Sequence, residues 1–175
     1  MGEKYDLDWR LLSAIARHES FFKSDARSQS GALGLMQVMP AVAALFSVSA
    51  GELLDPYKNA EVASRLLIVC KKQLSTLDIA LAEDFTHFLV ACYHCGFSRV
   101  ERAVEYAKYY NEKLFTWEHV SFYLELLGEH NLRIEQEEDD PAQVSYSAGN
   151  LTNIYVERVL DTYKQYCRLY PGNLK

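Results

Sequence analysis

One carboxylate in this sequence stands where an apolar side chain belongs. Glu19 follows Leu11, Leu12, Ile15 and Ala16 by eight, seven, four and three residues, so helical geometry puts it on the stripe that faces the core. Desolvation there disfavours the ionised form and raises the pKa, as a general acid working near neutral pH requires. The competing reading is that the helix has turned far enough by Glu19 to bring it to the surface. Nine residues later the chain reads Ser28-Gln-Ser-Gly-Ala-Leu-Gly-Leu-Met-Gln-Val-Met-Pro40. Its two glycines let the backbone pass close to another group, and Gln37 is an amide in an otherwise apolar stretch. Cys92-Tyr93-His94-Cys95 has the spacing of a redox pair or half a zinc site. A redox pair follows a strand and opens a helix, whereas this one closes a helix before Gly96, and no second ligand pair completes a metal site. The two cysteines therefore read as packing residues, and no cofactor or metal is expected.

The elements that must position these groups are helical throughout. Asp8 is a plausible N-cap for a helix ending near Phe22. Ser28 to Gly34 is a small-residue loop, and Pro40 opens a short helix through Phe46. Ser49 with Glu52, and Ser98 with Glu101, have capping-box spacing. Asn59 reads as the cap of a helix whose buried face is Ala63, Leu66, Leu67, Cys70 and Leu74. Phe85, Phe88, Leu89 and Cys92 form another stripe, followed by Val100, Ala103, Val104 and Ala107. Thr116 caps a segment with Val120, Tyr123, Leu124 and Leu127, and the last helix carries Ile154, Tyr155, Val159, Leu160 and Tyr163. Between these two helices, residues 128–145 break the pattern around the acidic run Glu135 to Asp140, expected to be a mobile, solvated loop. No period-2 strand and no repeat is visible. The expected fold is all-α, seven or eight helices in a single domain over residues 1–175.

Composition removes several function classes. The 18 Lys and Arg against 24 Asp and Glu leave a net charge of −6, and no basic stretch exists to meet a nucleic acid. With 49% hydrophobic and 24% charged residues the chain is neither disordered nor low in complexity. The longest nearly apolar run, Ala41 to Ala50, is far shorter than the roughly 18–20 residues that cross a bilayer. The acidic N-terminus has no apolar signal region, and Asp6 breaks the myristoylation pattern. Four cysteines at irregular spacing make no disulfide framework. Most of the 12 tyrosines belong to the core on composition alone, although sugar clefts use such rings for stacking.

The residues resemble the lytic transglycosylases of the soluble-type (SLT), lysozyme-like family. The resemblance runs through Glu19-Ser20-x-Phe22 and Ser28-x-x-Gly31-Ala32-x-Gly34-Leu35-Met36-Gln37-x-Met39-Pro40. It continues in Asp55-Pro56-x-x-Asn59, in Ala91-x-Tyr93-x-x-Gly96-Phe97, and in Thr152 with Tyr155-Val156. Trp117-x-x-Val120, the Tyr146 region and Gly149 are similar to the branch of membrane-bound murein transglycosylases. The resemblance implies cleavage of peptidoglycan strands between N-acetylmuramic acid and N-acetylglucosamine without water. Glu19 is implied as the lone catalytic group, acid and then base, leaving a 1,6-anhydromuramoyl end. Ser28 matches the serine beside the acid, while Gln37, Met39, Tyr93 and Tyr155 match residues lining the glycan cleft. Family relatives also imply a fragment of a periplasmic protein attached to the outer membrane through a segment outside this chain. The segment 128–145, leading into Tyr146, is expected along one cleft wall. Two departures stand out: the family's Tyr-Asn-x-Gly is Tyr93-His94-Cys95-Gly96, and the Glu that usually precedes Thr152 is Leu151. A non-catalytic peptidoglycan-binding module of the same fold, and hydrolysis in the manner of goose-type lysozyme, are the alternatives.

Overall fold

The computed structural model describes residues 1–77, 79, 84–110, 115–129 and 151–172. Most of the segment expected as a cleft-side loop, together with Tyr146 and Gly149, lies outside the described residues. Within them are eight α-helices and one 3-10 turn, with no strand. The helices are α1 (Gly2–Tyr5), α2 (Trp9–Ser20), α3 (Pro40–Leu45), α4 (Pro56–Leu74), α5 (Phe85–Cys95), α6 (Phe97–Tyr109), α7 (Trp117–Glu129) and α8 (Leu151–Leu169), with the 3-10 turn at Gly51–Leu54. The chain divides into two compact units, Met1–Lys71 with Arg158–Lys175, and Lys72–Glu157.

In the first unit, Asp8 caps α2 as its sequence position predicts. Its carboxylate accepts the Arg10 backbone N–H at 2.9 Å and the Arg10 guanidinium at 2.6 Å. The same group accepts the Tyr163 hydroxyl of α8 at 2.9 Å. Arg10 then reaches the carbonyl of Tyr170 at 3.1 Å, and Trp9 packs edge-on against the Tyr170 ring. One carboxylate thus ties the start of α2 to the C-terminal part of α8. Along α2, Leu11, Ala14, Ile15 and Ala16 are buried, and on the part of α4 in this unit Val62, Ala63, Leu67 and Cys70 are buried.

In the second unit, α6 packs against both α5 and α7. Its stripe of Val100, Ala103, Val104 and Ala107 is buried as its spacing predicts. Two alanines on that stripe let neighbouring helices come close. Trp117, at the start of α7, is the hub. Its backbone N–H donates to Asp84 at 2.8 Å, its indole N–H donates to Glu157 at 3.3 Å, and its ring meets Phe88 edge-on. Thr116 caps α7, its hydroxyl accepting the His119 N–H at 3.4 Å and pairing with His119 Nδ1 at 2.8 Å.

Local expectations fail at three places. The Ser98–Glu101 box does not form, because α6 begins two residues earlier than that box requires, with Gly96 as its N-cap and no side-chain cap. At Ser49, the Glu52 carboxylate accepts both the backbone N–H and the hydroxyl of Ser49, so only half of the reciprocal box is made. On α8 the buried face is Val156, Val159 and Leu160, whereas Ile154 is 44% exposed.

The Asp8 knot generates a prediction about acid stability. Burial by itself would raise the Asp8 carboxyl, but hydrogen bonds from Arg10 and Tyr163 outweigh it and hold the group below its ordinary value. Its contribution is therefore complete above the unfolded carboxylate pKa and is lost as pH falls through the lower folded value. Asp8→Ala is expected to cost about 1–2 kcal/mol in urea unfolding at pH 7. The difference from the parent should shrink when the measurement is repeated near pH 2.

Candidate active site

Glu19 is the penultimate residue of α2, half-buried at the rim of the stripe whose deeper members are Leu11, Ile15 and Ala16. It is neither a core carboxylate nor a surface one. The reason is that α2 stops directly after it. Phe21 and Phe22 both take left-handed backbone conformations, with φ of 53° and 63°, and the Phe22 N–H closes back on the Ala16 carbonyl at 3.4 Å. Such backbone is uncommon outside glycine, and the two phenyl rings remain 72% and 50% exposed.

Two neighbours fix the helix end. The buried Ser20 hydroxyl donates to the Leu35 carbonyl at 2.7 Å, joining α2 to the loop that follows. His18 Nε2 pairs with the Thr162 hydroxyl of α8 at 2.8 Å. Burial lowers the His18 pKa, and the positive charges of Arg17 and Arg158 lower it further. Neither residue was expected to have a role, although Ser20 lies within the Glu19-Ser20 pair.

The loop from Arg27 to Val38 is a folded object without a strand. Leu33 forms isolated antiparallel bridges to Arg27 and to Val38. At its centre Gly34 has φ of 78°, and a Cβ built there would lie 2.2 Å from the Leu53 carbonyl and 2.5 Å from the Asn59 amide nitrogen. Glycine is required twice over, by backbone conformation and by the approach of Asn59. The sequence reading of Asn59 as a helix cap is corrected here. Asp55 caps α4, accepting the Tyr57 and Lys58 N–H groups at 2.9 Å. Asn59 sits one turn inside the helix, fully buried. Its amide donates to the carbonyls of Leu33 at 2.8 Å and Leu53 at 2.9 Å, and its oxygen accepts the Met36 N–H at 2.7 Å. The signal was present: Asn59 lies four and eight residues before Ala63 and Leu67, on their face.

The candidate residues of the first unit take distinct places. Ser28 is half-buried, its hydroxyl accepting the Ala32 N–H at 2.9 Å and pairing with Ser30. Gln37 has φ of 49° and its amide donates to the carbonyls of Gly34 at 2.9 Å and Ala26 at 3.3 Å, so one end of that side chain braces the loop. Met39 is 40% exposed just before α3. Loop and helix end are thus joined through Ser20 and Leu35, bringing the Gln37 loop to the end of α2 that bears Glu19.

Tyr93 and Tyr155 belong to the second unit, both half-buried. Tyr93 is on the last turn of α5, followed by His94. The His94 ring stacks on Tyr155 of α8, centroids 4.3 Å apart and planes 26° apart, and its Nδ1 pairs with the Thr152 hydroxyl at 3.1 Å. Burial of the ring lowers the His94 pKa, and Arg99 adds to the effect. Leu151, one of the two departures from the family resemblance, is 72% exposed. Cys92 is buried and Cys95 half-buried at the end of α5, neither in a disulfide. Among the described residues no three His, Cys, Asp or Glu side chains are grouped to hold a metal.

An all-helical domain with a carboxylate at a helix end and a buried amide gripping the following glycine loop has the lysozyme-like fold of lytic transglycosylases. An inactive mutant of lytic transglycosylase Slt from Pseudomonas aeruginosa superposes with a TM-score of 0.67 at 22% identity, covering 96% of this chain and 23% of that one. The 70 kDa soluble lytic transglycosylase of Escherichia coli gives 0.63 at 23% identity, covering 95% of this chain and 22% of that one. The transglycosylase SLT domain family matches residues 1–116, and the chain belongs to it. It is similar to membrane-bound lytic murein transglycosylase F of Histophilus somni strain 129Pt, 38% identical over 54% of this chain and 19% of the relative. The same-named protein of Marinobacter nauticus is 26% identical over 96% of this chain and 32% of its own length. The chain thus spans about a fifth to a third of the length of these curated relatives.

Two contrasts test the architecture. Gly31, with φ of 90°, has open space where a Cβ would go, so Gly31→Ala carries only the left-handed penalty of roughly 1–2 kcal/mol. Gly34→Ala should cost clearly more, because a carbonyl and a fully buried amide must move aside. Asn59→Ala removes all three of these hydrogen bonds, leaving the Leu33 carbonyl only the Val38 N–H, and should cost about 2–4 kcal/mol in urea unfolding. The cysteines give the second contrast. A thiolate is disfavoured at the negative end of a helix dipole, so replacing Cys92 with Ala and Cys95 with Ser should leave urea unfolding cooperative with packing losses only, and an oxidant should not change the parent's unfolding.

Proposed function

We propose that this chain is the catalytic domain of a lytic transglycosylase that cleaves peptidoglycan glycan strands between N-acetylmuramic acid and N-acetylglucosamine. The observation that carries the reading is Glu19, half-buried at the end of α2 and held by Ser20 against the glycine loop, in a chain of the SLT family. Glu19 protonates the glycosidic oxygen as the bond to the muramoyl C1 breaks. The carboxylate then takes the proton of the muramoyl C6 hydroxyl as its oxygen closes on C1, which returns Glu19 to its acid form and leaves a 1,6-anhydro end. One carboxylate serves where most glycosidases use two, with the substrate's own N-acetyl group stabilising the charge developing at C1.

Ser28, Gln37, Met39, Tyr93 and Tyr155 are assigned to glycan binding on the same grounds. The names of the relatives, membrane-bound murein transglycosylases, support a membrane-associated setting, and a peptidoglycan substrate places the domain in the periplasm in this reading. No helix among the described residues is long and apolar enough to cross a membrane. One observation favours a second reading, a binding module without turnover: Leu151, apolar and exposed where the family resemblance implies a carboxylate.

Mass analysis of digested peptidoglycan separates these readings, because hydrolysis adds water to each fragment, transglycosylation adds none, and a binder releases nothing. Anhydromuropeptides are expected from the parent. Glu19→Gln keeps the shape without the proton donor, and release should fall by several orders of magnitude while urea unfolding stays cooperative. Near-parental turnover by this variant would remove Glu19 from the mechanism.

A further inference from the structure

The mechanism above uses Tyr155 as a glycan-contacting ring but gives no work to the residue stacked on it. His94 is exposed as a residue, yet its ring lies over Tyr155 at 4.3 Å and its Nδ1 is tied to Thr152 at 3.1 Å. These two contacts join the last turn of α5 to the first two turns of α8. Thr152 and Tyr155 are three residues apart, neighbours on one face of α8, so a single imidazole spans both. The ring's second nitrogen, Nε2, has no protein partner among the described residues.

We propose that His94 is a positioning residue for glycan binding, holding the Tyr155 ring in the plane in which it stacks on a sugar of the bound strand. This rests on the assignment of Tyr155 to the glycan-binding surface. A lone tyrosine ring turns about two side-chain bonds, and a sugar that stacks on it must arrest that motion. With one face already covered by His94 and the imidazole itself anchored by Thr152, the ring is ordered before ligand arrives. Desolvation and Arg99 keep the imidazole neutral to lower pH than an ordinary histidine, so the stack persists through the physiological range without placing a charge beside the sugar. The charged group that acts on the ring is Arg99 of α6, while from α8 it meets Tyr155 and Thr152. Leu151 has no polar atom in its side chain with which to grip a sugar, so stacking gains in importance at this end of α8.

The test uses a soluble tetramer of β-1,4-linked N-acetylglucosamine as the probe, with affinity measured by calorimetry and ring protons followed by NMR. His94→Ala is expected to weaken binding roughly tenfold, the upper range for a stacked aromatic pair. His94→Phe keeps a flat ring over Tyr155 and should stay within about threefold of the parent. His94→Asn can still reach Thr152 but loses the ring, and should behave as the alanine variant does. In the parent, the Tyr155 and His94 ring resonances should shift together on titration with the tetramer, and on peptidoglycan His94→Ala should raise KM with kcat nearly unchanged. Parental affinity in His94→Ala, or tetramer binding that leaves both ring resonances unmoved, overturns the proposal, as does a parent protein that does not bind the tetramer. If the substitutions shift tetramer affinity as stated while the parent releases no anhydromuropeptide, the positioning role stands and the proposed catalytic activity fails.

Discussion

The amide of Asn59 is fully buried and makes three hydrogen bonds, to the carbonyls of Leu33 and Leu53 and from the N–H of Met36. The Met36 N–H and the Leu53 carbonyl lie outside any strand or α-helix, and the Leu33 carbonyl takes the Asn59 amide in addition to the Val38 N–H. Buried and unpaired, each such group costs about 1–3 kcal/mol, so the loop can pass through the interior only where this side chain meets it. The constraint runs both ways. Asn59 reaches those groups because Gly34 has no Cβ, and Gly34 takes its left-handed conformation at no steric cost. Together they convert a stretch of small and apolar residues into a shape with a defined front.

That shape sets where the candidate acid stands. Helix α2 ends in two left-handed phenylalanines, and Ser20 fastens its last turn to Leu35, one residue before the Met36 N–H held by Asn59. The path from Asn59 through residues 35 and 36 to Ser20 and Glu19 is short and made of hydrogen bonds to backbone. His18 adds a second anchor to α8 through Thr162. A carboxylate on such a support has little freedom to drift, as the mechanism proposed for Glu19 requires.

The second unit uses aromatic rings where the first uses a buried amide. Trp117 unites the start of α7 with Asp84, Phe88 and Glu157 through two hydrogen bonds and one edge-on ring contact. The His94–Tyr155 stack is the more exposed counterpart on the same unit. Both arrangements combine a flat apolar face with a hydrogen-bonding edge, giving packing and orientation from one side chain.

Helical periodicity was legible in the sequence because burial follows the 3.6-residue repeat: the stripes at Val100 to Ala107 and Val120 to Leu127 are buried as their spacing requires. The Asp8 cap and the stop at Gly96 were legible for the same reason, since capping depends on near neighbours in the chain. The motif around Glu19 and Gly34 likewise carries the family resemblance in the sequence alone. Non-local pairing was not legible. Asn59 had the residue type of a cap and the phase of a core position, and only the approach of Gly34, twenty-five residues away, decides between them. Ile154 satisfied the helical pattern on α8 yet is exposed, because the buried face there is set by Val156, Val159 and Leu160. Glu19 illustrates the division most plainly. Periodicity placed it on the inward stripe, but its half-buried state follows from the helix ending one residue later and from the carbonyl that Ser20 finds at Leu35. Chain-local forces act within a turn or two and leave a readable pattern, whereas the hydrogen bonds that finish the site join residues whose separation in sequence carries no such pattern.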